Sequence, residues 1–155
     1  MGLFSKKPKL PDSLPTGPWS IVHGAQDGQV LVARVHMGYQ KFADRAAYPV
    51  RVGVATKVVK LAENGMPTAE ENAVLLELEK RIQKVVEADR EAILVVALTS
   101  GGVKEWVFYT SNPESTKQRM LALAPSVTSH KLQMVLAPDE DWAVYRDFSN
   151  PPGRN

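Results

Sequence analysis

The chain reads as an α+β protein. Two pairs of strand-like runs are closed by Asp27-Gly28 and by Gly101-Gly102. Thr68 and Asn112 stand where helix N-caps belong. Between these marks the apolar residues switch from alternation to helical spacing and back, twice over. At 155 residues the chain suits one domain with a real core.

The expected organisation is a disordered, basic, Pro-rich leader over residues 1–18, a single domain over 19–148, and a fraying tail over 149–155. The leader holds Pro8, Pro11, Pro15 and Pro18 and shows no periodicity. It also holds Lys6, Lys7 and Lys9 against Asp12. The net charge of +2 is therefore the leader's, and the basic and acidic side chains of the rest balance. A sequence pI near 8.9 is thus no sign of a nucleic-acid surface on the folded part. Leu3 and Phe4 offer too little apolar area to anchor a membrane. No apolar run follows the lysines, so no secretory signal is expected, and Lys6 breaks the myristoylation pattern. The absence of cysteine excludes disulfides and thiolate metal sites and suits a reducing compartment. No apolar run is long enough to span a membrane.

Order is expected from Trp19. Residues 20–25 and 30–35 flank Asp27-Gly28, which can supply positive φ at both centres of a type I′ turn. A loop follows over 37–47. In 48–59, Val50, Val52, Val54 and Val58 alternate with Arg51, Gly53, Ala55 and Lys57, which predicts a strand with one buried face. Asn64-Gly65-Met66-Pro67 turns the chain. Thr68-Ala69-Glu70-Glu71 is a capping box, in which hydroxyl and carboxylate answer each other's free N–H. The helix it opens runs to about Asp89, with Val74, Leu75, Leu78, Ile82, Val85 and Val86 as its buried stripe. Residues 92–99 and 104–110 form a second hairpin across Gly101-Gly102. Asn112-Pro113-Glu114 opens a second helix, N-cap then proline at the first helical position. Met120, Leu121 and Ala124 should line its inner side before Pro125 ends it. Residues 131–136 are a last strand, with Leu132, Met134 and Leu136 on one face.

The last six elements spell β-α-β-β-α-β, the split βαβ or ferredoxin-like arrangement. Two helices should cover one face of an antiparallel sheet. The leading hairpin must extend that sheet or fold over its other face.

Catalytic chemistry finds little support. His23 pairs opposite Val32 and His36 lies about 13 Å further along at ~3.3 Å per residue, so the two cannot share a metal. His130 has no ligand-spaced partner in sequence, so all three histidines read as structural or surface residues. There is no nucleophile elbow, and Gly101-Gly102 joins two strands, so it is not a phosphate loop. No metal or cofactor is expected, and the chain reads as a non-enzyme.

Two clusters remain as candidates. In Pro138-Asp139-Glu140-Asp141-Trp142-Ala143-Val144-Tyr145, one acid should cap a short helical turn that swings Trp142 into the core, with Tyr145 as a second anchor. Whichever of Asp139, Glu140 and Asp141 does not cap could face a partner. In Lys104-Glu105-Trp106-Val107-Phe108-Tyr109, Trp106 and Phe108 share a strand face. If Val107 and Tyr109 meet the helices, Trp106 and Phe108 lie on the open face, or under the leading hairpin or a second copy of the chain.

The chain also resembles a bacterial family catalogued as domain of unknown function 695. The resemblance rests on Trp19 opening a hairpin, Tyr48-Pro49, Asn64-Gly65-Met66-Pro67, and Gly101-Gly102 with Trp106-Val107-Phe108-Tyr109. Its sharpest piece is Asp139, Trp142 and Tyr145, and it covers residues 19–148. Such domains can be fused to one similar to the regulator of ribonuclease E activity, protein B, itself ferredoxin-like and non-catalytic. The resemblance implies a fold and a bacterial cytoplasmic setting, and no catalytic residue.

The expected function is that of a small non-catalytic bacterial protein that binds or regulates a protein partner, with Trp106, Phe108, Asp139, Glu140 and Asp141 as contact candidates. One alternative is an immunity protein whose acids meet a basic toxin. Another is an RNA-binding domain stacking bases on Trp106 and Phe108. Nucleic acid is disfavoured, because the Lys/Arg-Gly-aromatic-Gly/Ala-aromatic run of such domains is missing.

Overall fold

A computed structural model describes residues 9–150. The expectations for Leu3, Phe4, Lys6 and Lys7, and for the tail beyond Asn150, lie outside the described residues. Among those described, the strands are β1 (Trp19–Gln26), β2 (Gln29–His36), β3 (Val50–Lys57), β4 (Ala92–Ser100), β5 (Val103–Thr110) and β6 (Gln133–Pro138). The helices are α1 (Ala69–Val86), α2 (Pro113–Leu123) and α3 (Ala143–Ser149). The strands form one sheet in the order β1-β2-β4-β5-β3-β6, antiparallel at every pairing. β5 lies between β3 and β4 and so splits the β3-α1-β4 unit. The leading hairpin extends the sheet through β2, which pairs with β4.

Both hairpin turns follow from their residues. Asp27 and Gly28 take φ of +52° and +78°, and Gly101 and Gly102 take +59° and +77°. Positive φ at both centres matches the right-handed twist of the flanking strands. α1 starts as a capped helix, with Thr68 Oγ1 accepting from the Glu71 N–H at 3.2 Å. It ends at Val86, and Asp89 and Arg90 then turn the chain into β4 with positive φ. Asn112 caps α2 through the Ser115 N–H at 3.1 Å.

Both sides of the sheet carry a buried core, the second over β2, β4 and β5. α1 and α2 pack Leu75, Leu78, Ile82, Val86 and Met120 against Val52, Val54, Leu94, Ala97, Trp106 and Phe108. The opposite face, carrying Ala33, Val35, Ile93, Val95, Val107 and Tyr109, is covered by Trp142 and Tyr145 with Tyr39, Ala47 and Tyr48. The last three belong to the loop over 37–48, which coils into short 3-10 turns at Met37–Tyr39 and Arg45–Ala47. A bulge falls between Leu94 and Val96 in β4. The extra residue puts both Val95 and Val96 on the second face and reverses the alternation beyond it.

Several expectations change. The leader segment from Leu10 to Pro18, expected to be disordered, lies against the domain. Leu10 and Leu14 pack against the second core, and Arg90 Nε donates to the Pro11 carbonyl at 2.8 Å. Ser149 does not belong to a frayed tail; it closes α3 and is buried. Val74 and Leu121 are 39% and 61% exposed rather than buried, since each sits at the rim of its helix stripe. β6 begins two residues later than expected, at Gln133, though Leu132, Met134 and Leu136 do share the α1–α2 side.

Candidate functional site

Trp106 and Phe108 are fully buried, at 0% exposure, and they face α1 and α2. The expected orientation is reversed: Val107 and Tyr109 take the face covered by α3. Trp106 Nε1 donates to Glu79 Oε1 of α1 at 2.8 Å, which fixes the indole inside the core. Neither a base, a partner nor a second copy can reach these two rings, so they are withdrawn as contact residues. RNA stacking on them falls with that.

The acidic-aromatic run forms a clasp. Asp139 accepts from Tyr109 Oη at 2.7 Å and from the N–H groups of Ala143 and Val144 at 2.8 and 3.2 Å. It is the capping acid at the head of α3. Burial pushes its carboxyl up, but the hydrogen bonds from Tyr109, Ala143 and Val144 outweigh this and hold it below the usual carboxylate range. Trp142 takes a left-handed φ of +56°, rare for an aromatic residue. That turn drops the indole onto Tyr109, ring centres 4.3 Å apart and nearly parallel. Trp142 Nε1 donates to the Tyr48 carbonyl at 2.9 Å, and Tyr145 Oη to the His36 carbonyl at 2.6 Å. Both anchors are fully buried. Glu140 and Asp141 stay exposed beside the clasp.

His130 has a partner that no sequence spacing announced. Its Nε2 lies 2.9 Å from Glu71 Oε2 and its Nδ1 2.9 Å from Ser129 Oγ. The Glu71 carboxylate therefore does not complete the capping box. It turns to His130 and to the Val59 N–H, while the Thr68 N–H donates to the Lys60 carbonyl. Burial raises the Glu71 carboxyl, but the His130 and Val59 hydrogen bonds more than offset it, and its pKa is lowered. The arrangement ties the segment before β6 to the start of α1.

A groove opens on the α1 side of the hairpin. Its walls are Ile21 of β1, Val32 and Arg34 of β2, Ala97 and Thr99 of β4 and Lys104 of β5, with Met66, Pro67, Asn72 and Leu76 opposite, and it encloses about 400 Å³. The register makes the floor. Ile21, Arg34, Ala97 and Trp106 form one row across the sheet, and Val32, Thr99 and Lys104 the next. Arg34 pairs with Glu79 Oε1, the same oxygen that accepts from Trp106, and its guanidinium lies 5.3 Å from the Trp19 ring centre. Lys104 is 6% exposed and makes no ion pair among the described residues. Burial lowers its ammonium to about 8, the Arg34 charge adds to the fall, and Glu79 opposes it. A buried amine with a shifted pKa in a cleft is a candidate functional group. Sequence reasoning missed it because Arg34, Glu79 and Lys104 lie on three elements and share no local pattern.

β1 forms one edge of the sheet. The tight turn makes Gln26 and Gln29 a hydrogen-bonded pair, so bonding alternates from there and Ile21, His23 and Ala25 direct their N–H and C=O groups away from β2. The strand, Trp-Ser-Ile-Val-His-Gly-Ala-Gln, contains no proline and no formal charge, and its pairing to β2 has no bulge. Ile21 is 59% exposed. Natural edges are normally blunted by one of these devices.

Among the described residues, no helix is long and apolar enough to cross a membrane and no cluster of His, Asp and Glu could hold a metal ion. No curated protein and no solved structure matches the chain. A family model, described as a family of unknown function (DUF695), matches residues 18–149, which span the sheet, both helical layers and the clasp. The chain belongs to that family.

Proposed function

We propose that this chain is a non-catalytic binding protein of the bacterial cytoplasm that recruits a protein partner by strand addition to β1. The observation that carries the reading is the unprotected edge. The eight-residue strand offers outward N–H and C=O groups at alternate positions, with no charge, proline or bulge to repel an added strand. Main-chain hydrogen bonds would supply affinity, and Ile21 and its neighbours along the groove would read the side chains of the added strand. The burial of Trp106 and Phe108 supports a reading that uses the sheet edge rather than the face bearing them.

The test is a differential capture. Immobilised wild type is exposed to bacterial lysate beside His23→Pro, which removes an outward N–H at an edge position that tolerates proline, and Ile21→Lys, which places a charge on the edge. The expected result is a protein retained by wild type and reduced at least tenfold on both variants, while circular dichroism shows the fold intact. A protein held equally by both edge variants but lost on Glu140→Lys with Asp141→Lys would overturn the edge and favour the immunity reading. Recovery of nothing above background would count against protein binding altogether.

A further inference from the structure

We infer that the groove beneath the hairpin is a binding site for a small monocarboxylate on an aliphatic stem, with the carboxylate meeting Lys104 and the stem lying along Ile21, Val32, Met66 and Leu76. This site goes beyond the docking edge and does not depend on it.

Charge sets the sign of the ligand. Three ionisable side chains meet here: Arg34 from β2, Glu79 from α1 and Lys104 from β5. Arg34 and Glu79 neutralise each other. Lys104 is left as one positive charge; the residue is 6% exposed, and its Nζ, not wholly closed off, lines the groove with neither an ion pair nor a hydrogen bond among the described residues. Burying an unpaired ammonium is costly, and an incoming anion relieves that cost. A single free cation matches a single negative charge. A phosphate dianion would call for a second unpaired positive charge, and that of Arg34 is already paired with Glu79.

The walls set the rest of the ligand. Ile21, Val32, Met66, Pro67, Leu76 and Ala97 make the lining mostly apolar, and Thr99 and Asn72 add two neutral polar groups. Few polar groups in an apolar cavity of this size is the usual composition of a small-molecule site, for which ~300–1,000 Å³ is typical.

Depth separates this ligand from the docked strand. Lys104 is on β5, and β2 and β4 lie between it and β1. At about 4.8 Å per strand the two are roughly 14 Å apart, and a strand added outside β1 stands further still. An acidic side chain on such a strand falls short of Lys104. The carboxylate must enter through the groove on its own stem.

The test uses octanoate and 1-octanol as probes on the whole chain, followed by calorimetry and by the resonances of the Lys104 ε-methylene and the Ile21, Val32 and Leu76 methyls. Octanoate should bind at one saturable site and shift all four residues, and 1-octanol should bind at least tenfold more weakly. Lys104→Met should abolish that preference, so that both probes bind alike. His23→Pro should leave octanoate binding unchanged, whereas Lys104→Met should leave partner capture unchanged, so the two readings fail separately. Equal binding of octanoate and 1-octanol by wild type would overturn the inference without recourse to any variant. So would the absence of saturable shifts at the groove, or an octanoate preference that survives Lys104→Met.

Discussion

Replacing Lys104 by methionine should stabilise the protein at neutral pH, and the gain should vanish in alkali. Burial, with the Arg34 charge, moves the ammonium from 10.5 to about 8 in the folded chain. At about 1.36 kcal/mol per pKa unit, holding it protonated at pH 7 costs the folded state about 3 kcal/mol. The unfolded chain keeps its proton up to the ordinary value, so between the two values the unfolded state binds more protons and wild-type stability rises with pH. Below the folded value the full penalty applies. Methionine keeps the length and packs adaptably without a charge. The variant should therefore exceed wild type by about 3 kcal/mol at pH 7, a rise in Tm on the order of 10 °C at ~2–4 °C per kcal/mol for a chain of this size. The advantage should shrink through the window from about 8 to 10.5 and be nearly gone above it. Buried tyrosines titrate in alkali as well: burial raises Tyr48 and Tyr145 to about 12 and Tyr39 and Tyr109 further. They destabilise both proteins alike, so the difference between the two curves isolates Lys104. Urea unfolding of both chains, followed by circular dichroism at neutral and alkaline pH, reads it. A variant no more stable than wild type at pH 7, or a difference independent of pH, would refute the claim that Lys104 is a desolvated, unpaired charge.

Other consequences are as direct. Asp139→Ala strands Tyr109 Oη and the N–H groups of Ala143 and Val144, and should destabilise by about 3 kcal/mol in thermal unfolding at pH 7. The Asp139 carboxyl is held low, so its contribution is present above the ordinary carboxylate value and is lost as pH falls through the folded one; the Asp139→Ala penalty should fade in acid. His130→Ala removes the ring hydrogen bond of the buried Glu71 carboxylate, which keeps the Val59 N–H, and should cost about 1–3 kcal/mol, measured by urea unfolding. Trp106→Ala and Phe108→Ala should each cost about 3–5 kcal/mol as core truncations, read by the shift of the unfolding midpoint. An RNA-stacking role would instead leave stability nearly untouched.

Elements were legible in the sequence where local chemistry decides them. Asp27-Gly28 and Gly101-Gly102 set both hairpins, and Thr68 and Asn112 set both long helices. The clasp was legible for the same reason: Asp139 caps within five residues of itself and carries Trp142 inward. Faces were not legible. β5 is apolar on both sides, with Trp106 and Phe108 against Val107 and Tyr109, so alternation gives two faces without saying which meets the helices. The run Ile93-Leu94-Val95-Val96-Ala97-Leu98 hides the bulge, because a continuous apolar stretch has no period to break. The second layer over the sheet also escaped, since it is assembled from α3, the loop over 37–48 and the leader, three segments far apart in sequence. The groove and the Glu71–His130 pair depend on contacts across 25 residues or more, which only the fold brings together.

Amide hydrogen exchange along β1 tests the docking edge most directly. It is measured on the free protein and on its complex with the partner isolated on wild type. The amides of Ser20, Val22 and Gly24 already bond to β2 and should change little, whereas those of Ile21, His23 and Ala25 should slow at least tenfold in the complex. Slowing confined to the segment around Glu140 and Asp141, with the outward amides of β1 still exchanging freely, would contradict strand addition.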